Sequence, residues 1–208
     1  MPADAPHRPE GASGATLEET LRDRLVRTGV ELVDAEGAQA LTLREIARRA
    51  GVSHGAPRRH FPTHLDLLSA IAREGFTELG ERVKAVDDPA GAPRARIEAL
   101  ARCYLDFARL RGGMYELMFR HDLLESGRLG LRDTSLPLFS RLADLVAAHR
   151  PDTPDPVTAT GALWANLHGI AQLWRWGSLR LATGADDPAP LLAAALDAHL
   201  GPASGEPR

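Results

Sequence analysis

Apolar residues recur at steps of three and four along most of the chain, the spacing that places them on one face of an α-helix. The first such face runs from Leu17 to a stop near Gly37. A second follows Thr42, and a long third face follows Thr63 and extends to about Val86. Further helices are predicted at about 93–111, 113–122, 129–149, 155–183 and 187–200. No segment shows a convincing strand pattern, so we predict an all-α fold.

Residues that cap or stop helices set the predicted boundaries between Thr42 and the long helix. Thr42 is followed three residues later by Glu45, which is the pattern of a capping box for the second helix. Ser53 is the predicted N-cap of a short helix over residues 53–60. Pro57 then falls near the start of that helix, where few backbone N–H groups have intrahelical partners and a proline costs little.

The composition is that of an ordinary soluble globular protein, with 44% hydrophobic and 25% charged residues among 208. Cys103 is the only cysteine, so an internal disulfide is excluded. No apolar run approaches the roughly 20 residues that span a bilayer, and the N-terminus lacks the pattern of a signal peptide. We therefore expect a cytoplasmic protein without a membrane partner. Separately, we expect a disordered arm at 1–16 and a disordered tail at 201–208.

Positive charge is concentrated in one segment, although the formal net charge of the chain is −3. Residues 44–61 contain five arginines and one acidic residue, Glu45. A helix, a turn at Gly51 and a short polar helix form a predicted helix-turn-helix at 42–61. Such a short helix fits the major groove of double-stranded DNA, and arginines beside it neutralise phosphates. A solvated surface helix remains the alternative interpretation, and for Arg48 and Arg49 the two are evenly balanced.

The stretch "LTLREIARRAGVSHGAPRRHFPTHLDLLSAI", which begins at Leu41, resembles the DNA-binding domain of the TetR (tetracycline repressor) family of transcriptional regulators. The resemblance covers about residues 17–78 and rests on the order and spacing of its T-x-x-x-I-A, A-G-V-S and His-Phe elements. It implies an N-terminal three-helix DNA-binding domain at 17–78. It also implies a C-terminal helical domain at 79–200 that binds a small-molecule effector and forms a homodimer on a palindromic operator.

The resemblance further implies which side chains face DNA, carried over position by position. They are Thr42, Arg44, Ser53, His54, Gly55, Ala56, Arg58, Arg59, His60 and His64. The chain departs from the family pattern at three of the aligned positions. Arg58 replaces a frequent tyrosine, Pro57 replaces the preceding leucine, and His64 replaces a lysine. These departures affect the expected DNA affinity and sequence preference rather than the protein class.

The C-terminal half contains two stretches that resemble sensor domains of the family, "YLDFARLRGGMYELMFR" and "LWANLHGIAQLWRWG", the second with a W-x-x-x-H-G pattern. Ligand pockets are mostly apolar with a few placed polar groups. The residues that suit such a lining are Tyr104, Phe107, Met114, Tyr115, Met118, Trp164 and His168. A buried core stripe is the alternative for each of them.

Other chemistries have little support in the sequence. His54, His60 and His64 are the candidate metal ligands, but Pro62 interrupts their helix and no cysteine is nearby. The chain lacks the common nucleophile, phosphate-binding and dinucleotide motifs, so we predict no enzyme activity, no metal and no cofactor. The remaining alternative is a helical small-molecule-binding or catalytic protein that has lost DNA binding, and Pro57 and the replaced tyrosine and lysine motivate it.

Overall fold

The computed structural model describes residues 20–120, 122–123 and 130–202, and these residues form ten α-helices, one 3-10 turn and no β-strand. The helices are α1 (Leu21–Glu36), α2 (Leu43–Arg49), α3 (Pro57–His60), α4 (His64–Val86), α5 (Pro93–Leu110), α6 (Gly112–Met118), α7 (Leu131–His149), α8 (Pro156–Arg175), α9 (Ser178–Thr183) and α10 (Ala189–Leu200). The prediction of an all-α fold is confirmed. None of the helices in this part of the chain is both long and apolar enough to cross a lipid bilayer.

The N-terminal helices form one packing unit around α1. Helix α1 packs on α2, α3 and α4, and the side chains it buries include Leu25, Leu32 and Val33. Gly29 allows the closest approach, because a Cβ atom at this position would collide with the side chain of Ile71 on α4. The apolar face predicted for α1 therefore exists, although the helix begins at Leu21 behind Thr20 as its N-cap.

The remaining long helices pack around the second half of the chain. Helices α5 and α7 pack on α4 and on each other, α8 packs on α5 and α7, and α10 packs on α8 and α5. At the end of α4 the buried carboxylate of Asp87 accepts a hydrogen bond of 2.7 Å from Arg96 Nε and pairs with Arg141. The hydrogen bond from Arg96 is the main reason why the pKa of Asp87 lies below its usual value. This carboxylate therefore ties α5 and α7 to α4.

Two predicted caps differ from the observed ones. The Thr42 hydroxyl accepts a hydrogen bond of 3.1 Å from the backbone N–H of Glu45, as expected. The reciprocal bond is not formed, because the Glu45 carboxylate binds arginines and the Thr42 N–H donates to the carbonyl of Ala40. A complete capping box lies instead between Thr63 and Asp66, at the start of α4.

The predicted N-cap role of Ser53 is wrong. Helix α3 begins at Pro57, and Ala56 is its N-cap. Ser53 lies in the preceding turn, where its carbonyl oxygen accepts a hydrogen bond of 3.0 Å from the backbone N–H of Ala56. Pro57 occupies the first helical position, where its fixed φ suits the helix and its missing N–H leaves nothing unsatisfied. Its ring is buried.

Several predicted boundaries also differ at helix ends. The helix predicted at 155–183 divides into α8 and α9, since Gly177 adopts φ +77° in the left-handed region. Helix α6 covers Gly112–Met118 rather than 113–122. The predicted arm at 1–16 and residues 203–208 of the predicted tail lie outside the described residues.

Helix α6 sits directly against the backbone of α1, and we call this contact the α1–α6 seat. A Cβ atom on Gly113 would collide with the carbonyl oxygen of Val33 and would lie 3.1 Å from the Cα of Gly37. The preceding Arg111 pairs with Asp34 of α1 and, at 2.8 Å, with Glu78 of α4. The seat therefore combines a close backbone approach with a bridging guanidinium.

Replacing Gly113 by alanine tests the seat. We expect Gly113→Ala to lower the free energy of unfolding by about 1–3 kcal/mol, because the added methyl meets backbone atoms that cannot move independently. The measurement is urea denaturation followed by circular dichroism at one fixed protein concentration.

Gly80→Ala is the matched control, since a Cβ atom there meets only Leu138 Cδ2 at an ordinary 3.8 Å. Alanine in the middle of α4 should leave the stability unchanged or raise it by up to about 1 kcal/mol. Equal stability of the two variants would show that the backbone contact at Gly113 does not constrain the fold.

Candidate nucleic-acid interface and apolar cavity

Helices α2 and α3 are joined by a tight turn that fixes their relative orientation. Gly51 ends α2 with φ +69°, and the next N–H, on Val52, donates 3.0 Å back to the carbonyl of Ala47. Phe61, which follows α3, is 1% exposed and anchors the end of the short helix in the core. Because Pro57 is buried on the other side of α3, the polar side chains of this helix are directed to solvent.

The arginines of this region divide into paired and unpaired groups. Arg48 bonds Glu45 at 2.6 Å, and Arg49 bonds Glu45 at 2.7 Å and also pairs with Glu36. Hydrogen bonds from Arg48 and then Arg49 lower the pKa of Glu45 to about 2, so this carboxylate stays ionised at neutral pH. The pairing largely neutralises the charge of Arg48 and Arg49 and favours the structural interpretation of both.

Three exposed arginines keep their charge available, namely Arg44, Arg58 and Arg59, and we call them the unpaired arginines. Within the described part of the chain, none of them forms an ion pair or a hydrogen bond through its side chain. Arg44 lies on the first turn of α2, and the other two lie on α3. The net positive charge of this segment is therefore presented by α2 and α3.

The remaining predicted contact residues surround these arginines. Ser53, His54 and Gly55 are exposed in the turn before α3, and His60 is exposed at its end. Ala56 is half-buried as the N-cap. Thr42 is exposed, and its hydroxyl proton stays free to donate while its oxygen caps α2. Capping and binding to an anion are therefore compatible at Thr42.

His64 occupies a different role from that of a free cation. Its Nε2 lies 2.7 Å from the carbonyl oxygen of Leu41, so Nε2 is the protonated nitrogen and donates this bond. The bond joins the start of α4 to Leu41, two residues before α2. Among the described residues, His54, His60 and His64 included, the structure brings together no group of three or more His, Cys, Asp or Glu side chains that could hold a metal ion.

An apolar cavity of about 220 Å³ lies between α4, α5, α7 and α8. Of the residues predicted to bind a ligand, Tyr104 and Trp164 border this cavity. His168 does not border the cavity, but its Nδ1 lies 2.8 Å from the hydroxyl oxygen of Tyr104. The other predicted residues are fully buried in the core and do not border the cavity: Phe107, Met114, Tyr115 and Met118.

One polar cluster adjoins the cavity, and its members are Tyr104, Tyr115 and His168. His168 Nδ1 lies 2.8 Å from both hydroxyl oxygens, and the two hydroxyl oxygens are 3.2 Å apart. Burial raises the pKa of Tyr104 well above its ordinary value and raises the pKa of Tyr115 to about 12. Burial also lowers the pKa of His168. All three groups are therefore uncharged at neutral pH.

The sequence did not identify the wall of the cavity that α7 supplies. Leu136, Leu138, Phe139 and Leu142 of this helix border the cavity, together with Ser135. Their apolar spacing indicates a buried helix face. That pattern does not distinguish a face that packs against other side chains from one that borders an empty volume.

Two protein families match segments of the chain. Residues 25–71 match the one described as "Bacterial regulatory proteins, tetR family". Residues 97–199 match the one described as "Tetracyclin repressor-like, C-terminal domain". The two matched segments contain the helix-turn-helix and most of the helices around the cavity, respectively.

Two curated relatives are similar to part of the chain. The nucleoid occlusion factor SlmA of Aliivibrio fischeri is 29% identical over 113 residues, which are 53% of this chain and 58% of SlmA. The HTH-type transcriptional regulator BetI of Rhizobium meliloti is 34% identical over 86 residues, 41% of this chain and 42% of BetI. The chain thus spans between about two fifths and three fifths of the length of these two relatives.

A solved structure is similar over nearly the whole fold. A protein of unknown function from Rhodococcus sp. RHA1 superimposes with a TM-score of 0.74 at 25% identity, covering 90% of this chain and 97% of that one. The helix-turn-helix at 42–61 and the helical C-terminal region fall within the two matched segments. The chain belongs to the tetR family of bacterial regulatory proteins.

Proposed function

We propose that this protein is a DNA-binding transcriptional regulator in the cytoplasm, and that α3 enters the major groove of its operator. The observation that carries the proposal is the set of unpaired arginines, Arg44, Arg58 and Arg59, on the exposed side of a helix-turn-helix. Three uncompensated charges on a surface of this shape favour a polyanion. The name of the relative BetI, an HTH-type transcriptional regulator, supports the same function.

The regulator acts as a repressor that leaves its operator when a small molecule binds. The cavity between α4, α5, α7 and α8 supplies the binding site, and α4 also packs on α1 of the DNA-binding unit. A ligand can shift the protein between two conformers only if it binds one of them more tightly. A cavity bordered by α4 allows this, because a conformer with a different α4 position has a different cavity.

The protein functions as a homodimer through α8 and α10. Ala162, Ala165, Gly169 and Leu173 of α8 lie within one face of the helix at 100° per residue, and this face is exposed or half-exposed in the single chain. Small side chains allow close approach of a second helix. A twofold axis beside this face would present two α3 helices to half-sites about 34–36 Å apart on a palindromic operator.

One of the three sequence features that supported the alternative function, a small-molecule-binding protein without DNA binding, no longer supports it. Pro57 is compatible with α3, because it occupies the first helical position and packs into the core. The other two features still support it. Arg58 stands where the family often has a tyrosine, and His64, which stands in place of a lysine, binds the carbonyl of Leu41. DNA retardation by the wild type separates the two functions.

The double variant Arg44→Ala, Arg59→Ala tests DNA binding. We expect the wild type to retard DNA from around its own promoter in preference to a scrambled duplex. The variant should bind at least about tenfold more weakly. The slope of log K against log salt concentration should fall by about 2, as two phosphate contacts are lost.

Arg102→Ala is the matched control, since Arg102 is exposed on α5 and pairs with Glu98 at 2.5 Å. This variant removes a positive charge far from α3 and should leave both the DNA affinity and the salt slope unchanged. Failure of the wild type to retard its promoter DNA in preference to the scrambled duplex would favour the alternative function. Wild-type DNA binding by the double arginine variant would contradict the role of the unpaired arginines.

Ala162→Glu tests the homodimer, because it places a charge in the middle of the proposed helix face. We expect the dissociation constant of the dimer to rise at least about 100-fold, since two unpaired carboxylates would be buried. Sedimentation velocity over a concentration series measures this constant. Ala148→Glu, at an exposed position of α7, is the control and should sediment as the wild type does. A dimer of wild-type strength in Ala162→Glu would contradict the proposed interface.

A further inference from the structure

The cavity has no charged border among the residues that the structure describes. Eight aliphatic and five aromatic side chains and Ser135 border it. The only titratable group among them is the Tyr104 hydroxyl, whose pKa burial raises well above the ordinary value. A carboxylate or an ammonium group that entered this volume would lose part of its hydration without gaining a counter-ion from the described border, which is unfavourable.

The volume limits the size of an occupant. The cavity measures about 220 Å³, while an engineered apolar cavity of about 150 Å³ in another protein binds benzene. The larger volume therefore fits one substituted aromatic ring or two fused rings. A larger ligand would extend past Leu136 and Trp164, which are 57% and 38% exposed, or would require the surrounding helices to separate.

The aromatic side chains of the border pack on each other. Phe76 and Phe119 meet edge to face, with ring centroids 5.7 Å apart and planes at 79°. Phe139 and Trp164 do the same at 6.3 Å and 81°. Aliphatic side chains outnumber the aromatic ones in the described border, so most of this wall offers no ring face to a cation.

The polar cluster contains two tyrosine hydroxyl groups but only one His168 nitrogen for them to bind. His168 Nδ1 carries either one lone pair or one proton, so it can pair fully with only one of the two hydroxyl groups at 2.8 Å. Tyr115 is 0% exposed and does not border the cavity, whereas Tyr104 does. If Tyr115 donates to His168, the Tyr104 O–H can donate either to the Tyr115 oxygen, 3.2 Å away, or to an acceptor in the cavity.

We propose that the cavity binds an uncharged ligand of one or two aromatic rings with one neutral oxygen that accepts a hydrogen bond from Tyr104. The role of this ligand as the effector rests on the proposed function, but its binding does not. Ser135 is the other hydroxyl at the border, and it lies on α7, away from the polar cluster. The ligand class therefore depends on Tyr104 and on the uncharged described border.

Four probes that share one ring system test the ligand class: naphthalene, 2-naphthol, 2-naphthoate and the 2-naphthyltrimethylammonium ion. Titration calorimetry with the full chain at pH 7 measures their affinities. We expect 2-naphthol to bind about 3–10-fold more tightly than naphthalene, the gain of one net hydrogen bond. The anion and the cation should bind at least about 100-fold more weakly than 2-naphthol. Equal or tighter binding of either ion, or no binding of 2-naphthol, would overturn the proposal.

Tyr104→Phe and Ser135→Ala form a matched pair of hydroxyl deletions. Tyr104→Phe should reduce the affinity for 2-naphthol to that for naphthalene and leave naphthalene binding unchanged. The variant keeps the ring, and Tyr115 and His168 can then pair with each other alone. Ser135→Ala should bind all four probes as the wild type does. The helical circular dichroism of both variants shows whether they are folded. A wild-type preference for 2-naphthol in folded Tyr104→Phe would overturn the role of Tyr104.

DNA retardation in the presence of 2-naphthol separates this proposal from the proposed function. Release of the promoter DNA by 2-naphthol supports both. Binding of 2-naphthol to a protein that never retards its promoter DNA would reject the regulator and retain the ligand class. Arginine-dependent retardation by a protein that does not bind 2-naphthol would reject the ligand class and retain the regulator.

Discussion

The position of the helix-turn-helix unit relative to the helices around the cavity depends on the close contact between α6 and the backbone of α1. Gly113 leaves no space for a side chain against the Val33 carbonyl, and Arg111 joins Asp34 of α1 to Glu78 of α4. On its other side, α6 contributes Tyr115 to the polar cluster and Glu116 to a 2.8 Å ion pair with Arg175 of α8. Displacement of α6 would therefore disturb both the helix-turn-helix unit and the helices around the cavity.

Much of this fold follows from local patterns in the sequence. The start of α4 was predictable from Pro62 and Thr63, and the end of α2 from Gly51, because these signals do not compete with others. The start of α3 was not, since Ser53 and Pro57 both indicate a helix start and the burial of the proline ring decides between them. The apolar pattern also continued across Gly177, where a left-handed backbone conformation divides α8 from α9.

The candidate sites were predictable in outline, and the rest depends on tertiary contacts. The arginine cluster is visible in the sequence, but only the positions of Glu36 and Glu45 distinguish the paired Arg49 from the unpaired Arg44. Tyr104 and Trp164 were identified as ligand residues, and both border the cavity. Periodicity places other side chains on buried faces without showing which of those faces meet an empty volume, so the α7 wall was missed.

The distribution of charge limits how a ligand can influence DNA binding. Uncompensated charge is exposed on α2 and α3, paired charge joins the helices between them and the cavity, and the described border of the cavity is uncharged. An uncharged ligand in this cavity adds no field that could act on the unpaired arginines over that distance. In the proposed homodimer it can alter the spacing of the two α3 helices only by changing how α4, α5, α7 and α8 pack, since a close-packed interior transmits displacement. The proposed coupling is therefore expected to be insensitive to salt, whereas the DNA affinity of the proposed regulator is expected to depend strongly on salt.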